Sequence, residues 1–378
     1  MTAFPYFETA HLDALNAQAV KILGVFAARG YARQEPSLLQ PAELFLDRSG
    51  EEIRLRTFTF VESSGRELAL RPDLTIPICR HQVETGASFP ARISYNGLAF
   101  RHQPGEPQRP TQFFQAGVEL LGEEDRAAAD DEILTLTVEA LRAAGLSNFE
   151  MKIGDLSLFA ALVDALDMPV QWRARLKRHF WRIGYFEALL EKLTAGNGGS
   201  GTAGETRAAL EAKLDALGDA PRGGRTREEI IARLLDQNAA AAAIRLHPEI
   251  ARVLTKFLAV SGSASESLDY IRILAKDAGV SLDTSLVAME KRLATLKALG
   301  VDGSRLKFAA RFGRNMEYYT GVVFEVWARD AEGPVQIAGG GRYDMLLELL
   351  GAKKPAPAIG CAIRTERVLA AVRAAEAR

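Results

Sequence analysis

Strand patterns lie on both sides of a long helical stretch in this 378-residue chain. Residues 92–100 and 112–121 are predicted to be strands, and a further strand is predicted at 322–328, where the side chains of Val322, Phe324 and Val326 would share one face. A last strand is predicted at 358–363. Between about 172 and 299 the sequence is rich in alanine and predicts almost only helices. We therefore predict an α+β fold in which one strand-containing domain carries a helical insertion.

The change in composition sets the predicted boundaries. Residues 1–170 are expected to form the first part of the core, 171–300 a mostly helical insertion, and 301–378 the second part of the core. Apolar residues recur every three or four positions across 8–29, which predicts an amphipathic helix that ends at Gly30.

Shorter elements are expected around the glycines. Two strands are predicted at 54–61 and 67–70, on either side of a Ser-Ser-Gly turn. The triplet 339–341 indicates a tight turn or a weak phosphate-binding loop before a short helix at 344–350. Taken alone, the triplet favours a plain hairpin turn.

Composition excludes several classes of function. The chain has 47 Lys and Arg against 48 Asp and Glu, a net charge of −1, which argues against broad nucleic-acid binding. Two distant cysteines, Cys79 and Cys361, and five scattered histidines predict neither a disulfide framework nor a metal site. No secretory signal and no run of about 18 apolar residues is present, so we expect a cytoplasmic protein.

The first candidate site follows a predicted strand. Asp73 and Thr75 are two residues apart, and in an extended segment their side chains would point to the same side. A carboxylate and a hydroxyl placed in this way can bind one ammonium group. The alternative is a turn with a surface aspartate, which the spacing alone favours.

The second candidate site spans two strands joined by the proline-rich loop 102–110. Arg101 ends the first strand, and Gln115, Gly117 and Glu119 share one face of the second. Glycine inside a strand usually marks the close approach of another group, so this face predicts a floor for a small polar ligand. A solvent-exposed sheet face is the alternative.

Two later segments carry further candidates. Arg314 can bind a carboxylate through two hydrogen bonds, and Tyr319 presents an apolar ring with a polar tip. Tyr343 follows the glycine triplet, and Arg367 lies near the start of the last predicted helix. Each of these residues also has a structural interpretation, as a charged turn, a core tyrosine or a surface arginine.

The order of these segments resembles class II aminoacyl-tRNA synthetase cores, and specifically histidyl-tRNA synthetases. Residues 30–36 resemble the first class II motif, 100–115 the second and 358–367 the third. Three further stretches resemble histidyl enzymes in particular: 70–75, 314–324 and 339–344. The resemblance covers the chain outside the insertion. It implies a class II catalytic core, an antiparallel sheet flanked by helices.

The resemblance also implies a histidine-binding pocket. Its expected residues are Asp73, Thr75, Arg101, Gln115, Glu119, Arg314, Tyr319 and Tyr343. By this resemblance Asp73 and Thr75 bind the ammonium group, and Arg314 holds the substrate carboxylate and phosphate. Glu119, Tyr319 and Tyr343 contact the imidazole ring.

The chain also departs from the synthetases. Gln103 stands where they have a glutamate and Thr111 where they usually have an arginine. Their N-terminal signature is missing, and their anticodon-binding domain is not expected after Arg378.

With these departures the chain resembles the regulatory subunits of ATP phosphoribosyltransferase, the first enzyme of histidine biosynthesis. That resemblance implies a subunit without catalysis or cofactor, which binds histidine and mediates feedback. The expected partners are the short-form catalytic subunit, in a hetero-octamer, and a second copy of the chain bound through 8–36, with no tRNA and no membrane.

An enzyme is the main alternative. A truncated relative of histidyl-tRNA synthetase could still adenylate histidine, and Arg101, Arg314 and Arg367 favour this because ATP phosphates need cations. Gln103 and Thr111 favour the regulatory subunit. A dimer without any ligand would leave the polar strand face unexplained.

Overall fold

The computed structural model describes residues 8–46, 51–103, 110–180, 182–195, 207–216, 231, 245–312 and 318–377. Its strands are β1 Ala32–Arg33, β2 Leu39–Pro41, β3 Phe58–Val61, β4 Glu67–Leu70, β5 Ala91–Phe100, β6 Gln112–Leu121, β7 Glu150–Asp155, β8 Ser261–Ser263, β9 Leu306–Ala309, β10 Val322–Arg329, β11 Pro334–Arg342 and β12 Ala358–Arg364.

The helices among the described residues are numbered here in chain order. They are α1 Thr9–Ala28, α2 Glu43–Leu46, α3 Glu51–Arg56, α4 Thr75–Thr85, α5 Arg126–Ala143, α6 Leu156–Ala165, α7 Val170–His179, α8 Ile183–Ala195, α9 Arg207–Ala216, α10 Pro248–Leu258, α11 Ala264–Asp277, α12 Asp283–Ala298, α13 Leu346–Leu349 and α14 Thr365–Glu376.

Nine strands form one sheet in the order β1-β5-β6-β12-β11-β10-β7-β9-β8. Its central pairs, from β5–β6 to β10–β7, are antiparallel. The pairs β1–β5 and β7–β9 are parallel, so the sheet is mixed rather than wholly antiparallel. A second sheet has the order β2-β4-β3. The predicted α+β class is confirmed.

Two compact units divide the chain. One comprises Met1–Phe159, Val260–Arg272 and Leu282–Arg378 and contains both sheets. The other comprises Ala160–Ala259 and Ile273–Ser281, and its described elements are helices. The limits of this second unit differ from those of the predicted insertion. The helical insertion at 171–300 stays a prediction.

Helix α1 forms where the apolar periodicity predicted it. Leu15, Ile22 and Phe26 are buried on one face of the helix. Gly30 has φ +81°, a left-handed conformation that glycine adopts without strain, and it ends the helix as expected. Helix α1 packs against α5 and against α14, and all three helices pack against the central strands.

Three local predictions were wrong. Residues 54–56 lie in α3, so the strand predicted at 54–61 begins only at Phe58. The glycines 339–341 lie inside β11 instead of forming a turn, because neighbouring strands approach closely on both sides. A short strand, β8, lies in the stretch that was predicted to be almost wholly helical and to contain no strand.

Candidate functional site

A cavity of about 180 Å³ lies over the central strands of the nine-stranded sheet. Its floor is a row of small residues. Gly117 of β6 pairs with Ala362 of β12, which pairs with Gly339 of β11. Since side chains alternate between the two faces of a strand, these positions and their neighbours two residues away share the cavity side. Of the three residues predicted to form this floor, Gln115 and Glu119 line the cavity.

Glu119 is the centre of a hydrogen-bond network at the inner end of the cavity. The Thr75 hydroxyl donates to Glu119 Oε1 at 2.6 Å, and the Tyr95 hydroxyl donates to the same oxygen at 3.1 Å. The Tyr343 hydroxyl donates to Oε2. Gln115 Nε2 lies 3.4 Å from the Tyr95 hydroxyl. Side chains from α4, from β5 and from the residue that follows β11 thus hold one carboxylate in place.

Two glycines make this arrangement possible. Gly360 pairs with Glu119 across β12 and β6, and a Cβ atom at Gly360 would collide with the carboxylate. Gly117 pairs with Tyr95 across β6 and β5, and a Cβ atom there would collide with the tyrosine ring. The room above Gly117 is therefore taken by Tyr95 rather than by a ligand, which corrects the sequence-based interpretation of this glycine.

Asp73 presents an unpartnered oxygen beside this network. Its Oδ1 accepts a hydrogen bond from the Ile76 backbone amide at 3.1 Å, in the first turn of α4. Its Oδ2 is buried without a hydrogen-bond partner among the described residues, and the side chain is only 1% exposed. A buried carboxylate oxygen of this kind needs a donor, and a ligand ammonium group would supply one.

Asp73 and Thr75 reach the cavity by a different route from the one predicted. They do not lie in one extended segment, because Thr75 is the first residue of α4. Asp73 precedes the helix, and both side chains line the cavity.

Burial dominates the electrostatics of both carboxyl groups. It raises the pKa of Glu119 to about 7, although the hydroxyls of Thr75, Tyr343 and Tyr95 lower it. Burial also raises the pKa of Asp73, against the opposing charges of Arg101 and Arg71. A carboxyl group with a pKa near 7 can accept a hydrogen bond or donate one, which suits an imidazole nitrogen in either protonation state.

Three tyrosine rings form one wall of the inner end. The ring centroids of Tyr318 and Tyr343 are 5.6 Å apart, and those of Tyr319 and Tyr343 are 6.5 Å apart, both edge to face. All three residues line the cavity. This end therefore combines flat apolar surface with hydroxyl and carboxyl groups.

The outer end of the cavity is lined by arginines. Arg101 Nε donates to the Pro72 carbonyl at 2.8 Å, and Arg367 Nη1 donates to the Gln336 carbonyl at 2.8 Å. Arg364 lies over the ring of Phe113. Arg56, which was not predicted as a site residue, also lines this cavity.

Seven of the eight candidate residues line this one cavity: Asp73, Thr75, Arg101, Gln115, Glu119, Tyr319 and Tyr343. The eighth, Arg314, lies outside the described residues. Sequence reasoning missed Tyr95, because its pairing with Gly117 follows from the strand register, which the sequence does not give. Within the described ranges, no group of three metal-ligating side chains occurs and no helix is long and apolar enough to cross a membrane.

Comparison with known sequences gives a consistent result along most of the chain. The family model described as histidyl-tRNA synthetase matches residues 8–368. The ATP phosphoribosyltransferase regulatory subunit of Chelativorans sp. (strain BNC1) is 35% identical over 365 residues, which are 93% of this chain and 96% of that protein. The regulatory subunit of Agrobacterium fabrum is 36% identical with the same coverage.

Solved structures share the fold. An ATP phosphoribosyltransferase regulatory subunit/histidyl-tRNA synthetase from Bacillus halodurans matches with a TM-score of 0.69 at 24% identity, covering 98% of this chain and 82% of that one. The histidyl-tRNA synthetase of Nostoc sp. PCC 7120 matches with a TM-score of 0.62 at 17% identity, covering 99% and 74%. The predicted class II synthetase-like fold is confirmed.

Proposed function

Because this chain belongs to the family of ATP phosphoribosyltransferase regulatory subunits, which have a histidyl-tRNA synthetase-like fold, we propose that its cavity binds L-histidine and reports the histidine level to a catalytic subunit. Members of this family are regulatory rather than catalytic subunits, and they serve histidine biosynthesis. Feedback needs a site that recognises the end product.

The unpartnered Oδ2 of Asp73 is the observation that carries the proposal. The ammonium group of histidine binds between Asp73 and Thr75, and the imidazole ring lies among Glu119, Tyr319 and Tyr343. Each polar group of the ligand then meets a complementary group, as a selective small-molecule site requires. Gln115 and Arg101 lie on the same cavity and complete its polar lining. Arg314 is proposed to hold the carboxylate.

The partner we propose is a short-form ATP phosphoribosyltransferase catalytic subunit, in a hetero-octamer in the cytoplasm. Histidine binding favours one state of this complex, and it can change the equilibrium constant between the two states by at most the ratio of its affinities for them. We propose that this function requires neither a cofactor nor tRNA.

We also propose self-association through the region 8–36. Helix α1 supports this, since two large apolar side chains lie outside its buried face: Val20 is 70% exposed and Leu12 is 37% exposed. We expect light scattering to give twice the monomer mass, and Val20→Asp to shift the protein toward the monomer. A monomeric wild-type protein at micromolar concentration would contradict this proposal.

The experiment that separates sensing from catalysis is histidine-dependent exchange between ATP and pyrophosphate. It is made on protein that a melting-temperature shift has shown to bind histidine, with a histidyl-tRNA synthetase as the positive control. We expect no exchange above background. Exchange at a substantial rate would support the alternative, an enzyme that still adenylates histidine.

A further inference from the structure

An aromatic ring lies beneath the outer end of the cavity, covered by an arginine that lines the cavity. Phe113 of β6 shares the cavity side of the strand with Gln115, and Arg364 of β12 pairs with Gln115. The Arg364 Cζ atom lies 3.7 Å from the centroid of the Phe113 ring, and Arg101 Cζ lies 5.6 Å from it. Phe113 is only 1% exposed, because the hydrophobic core buries the ring as well.

An open aromatic face beside several arginines would suit a nucleotide. Bases of all kinds stack on aromatic rings, and guanidinium groups bind phosphate. Here the guanidinium of Arg364 occupies the stacking position over Phe113. The guanidinium groups of Arg101 and Arg367 donate to backbone carbonyls of Pro72 and Gln336.

Among the residues of β12 that face the cavity side of the sheet, Arg364 is the only one with a large side chain. The residues two and four positions before it on the cavity side are Ala362 and Gly360. Without the arginine side chain, the row of small residues would continue to the end of the strand, and one face of Phe113 would be open.

We propose that Arg364 determines the specificity of this cavity by excluding planar bases from the face of Phe113. The cavity then accepts an amino acid at its inner end but no nucleoside at its outer end. This inference rests on the proposed function for the identity of the inner ligand, but the exclusion of a base depends only on the stacked pair.

The test compares adenosine binding to wild-type protein, Arg364→Ala and Arg364→Met by isothermal titration calorimetry. Adenosine is the probe because it has a planar base and no charge, so the lost positive charge does not affect the comparison. Methionine is the matched control, since it removes the charge and still covers the ring. We expect adenosine to bind R364A at least about tenfold more tightly than wild type or R364M.

A further variant identifies the stacking surface. In R364A/F113L the gain in adenosine affinity should disappear, because leucine keeps the position apolar without a ring. The inference is overturned if wild-type protein binds adenosine as tightly as R364A, if folded R364A shows no gain, or if the gain persists in the double variant.

Histidine titration of the same samples keeps the two proposals distinguishable. Histidine affinity should change less than about threefold in R364A, since the inner end lies on other residues. If no sample binds histidine, the proposed function fails, whereas the adenosine comparison still decides the role of Arg364.

Discussion

Glu119→Ala is expected to weaken histidine binding by about 1–3 kcal/mol, or roughly 5- to 150-fold. The substitution removes the acceptor shared by the hydroxyls of Thr75, Tyr95 and Tyr343. It also removes the group that we propose to contact the imidazole ring. A buried donor left without an acceptor costs free energy in this range, and calorimetric titration with histidine measures the effect.

Glu119→Gln is the matched variant for this prediction. It keeps the shape of the side chain and one acceptor oxygen while removing the carboxyl group. We expect its histidine affinity to lie between those of the wild-type protein and E119A. An affinity for histidine that is unchanged in E119A would remove Glu119 from the binding site, provided that circular dichroism shows the variant to be folded.

Asp130→Ala is expected to lower the free energy of unfolding by about 3–5 kcal/mol. Asp130 of α5 is fully buried, and its two carboxylate oxygens accept from Arg342 Nε at 2.9 Å and Arg292 Nε at 2.8 Å. Arg292 also donates to Asp155 at 2.8 Å. Removing Asp130 leaves two poorly hydrated arginines without their shared acceptor.

Glu139→Ala on the same helix is the control for Asp130→Ala. Glu139 forms an exposed ion pair with Arg29 at 3.1 Å, and such pairs contribute less than about 1 kcal/mol. Urea unfolding followed by circular dichroism measures both variants. Equal losses in D130A and E139A would show that the buried cluster does not stabilise the fold as described.

The buried cluster also bears on the site. Arg342 ends β11 and immediately precedes Tyr343, whose hydroxyl donates to Glu119. The bonds from Arg342 to Asp130 and Asp344 fix the strand end from which that tyrosine extends. The position of the Tyr343 ring, which we propose contacts the ligand, thus depends on an acid in α5, more than two hundred residues earlier in the chain.

Much of the fold could be predicted from local patterns. Alternation or an apolar run placed β10 and β12 close to their observed bounds, and the three- to four-residue periodicity placed α1. Errors arose where the sequence of a short segment is equally compatible with a helix and with a strand. Residues 54–56 alternate as a strand would, but they end the helix α3.

The site was harder to predict where its form depends on neighbours across the sheet. Gly117 in β6 correctly indicated a close approach, but the sequence does not say by what, and the approaching group is Tyr95 on β5. The glycines of β11 presented the same problem. They allow close approach of Phe324 and Tyr319 to the strand, a role that no turn pattern can reveal.

The most direct test of the account is the activity of a cognate short-form ATP phosphoribosyltransferase subunit, titrated with histidine in the presence of this chain. We predict that adding the wild-type chain raises catalytic activity and that histidine then inhibits the complex. With the E119A chain the activation should remain, while inhibition should require roughly 5- to 150-fold more histidine. No activation by the wild-type chain, or identical histidine inhibition with both chains, would contradict the account.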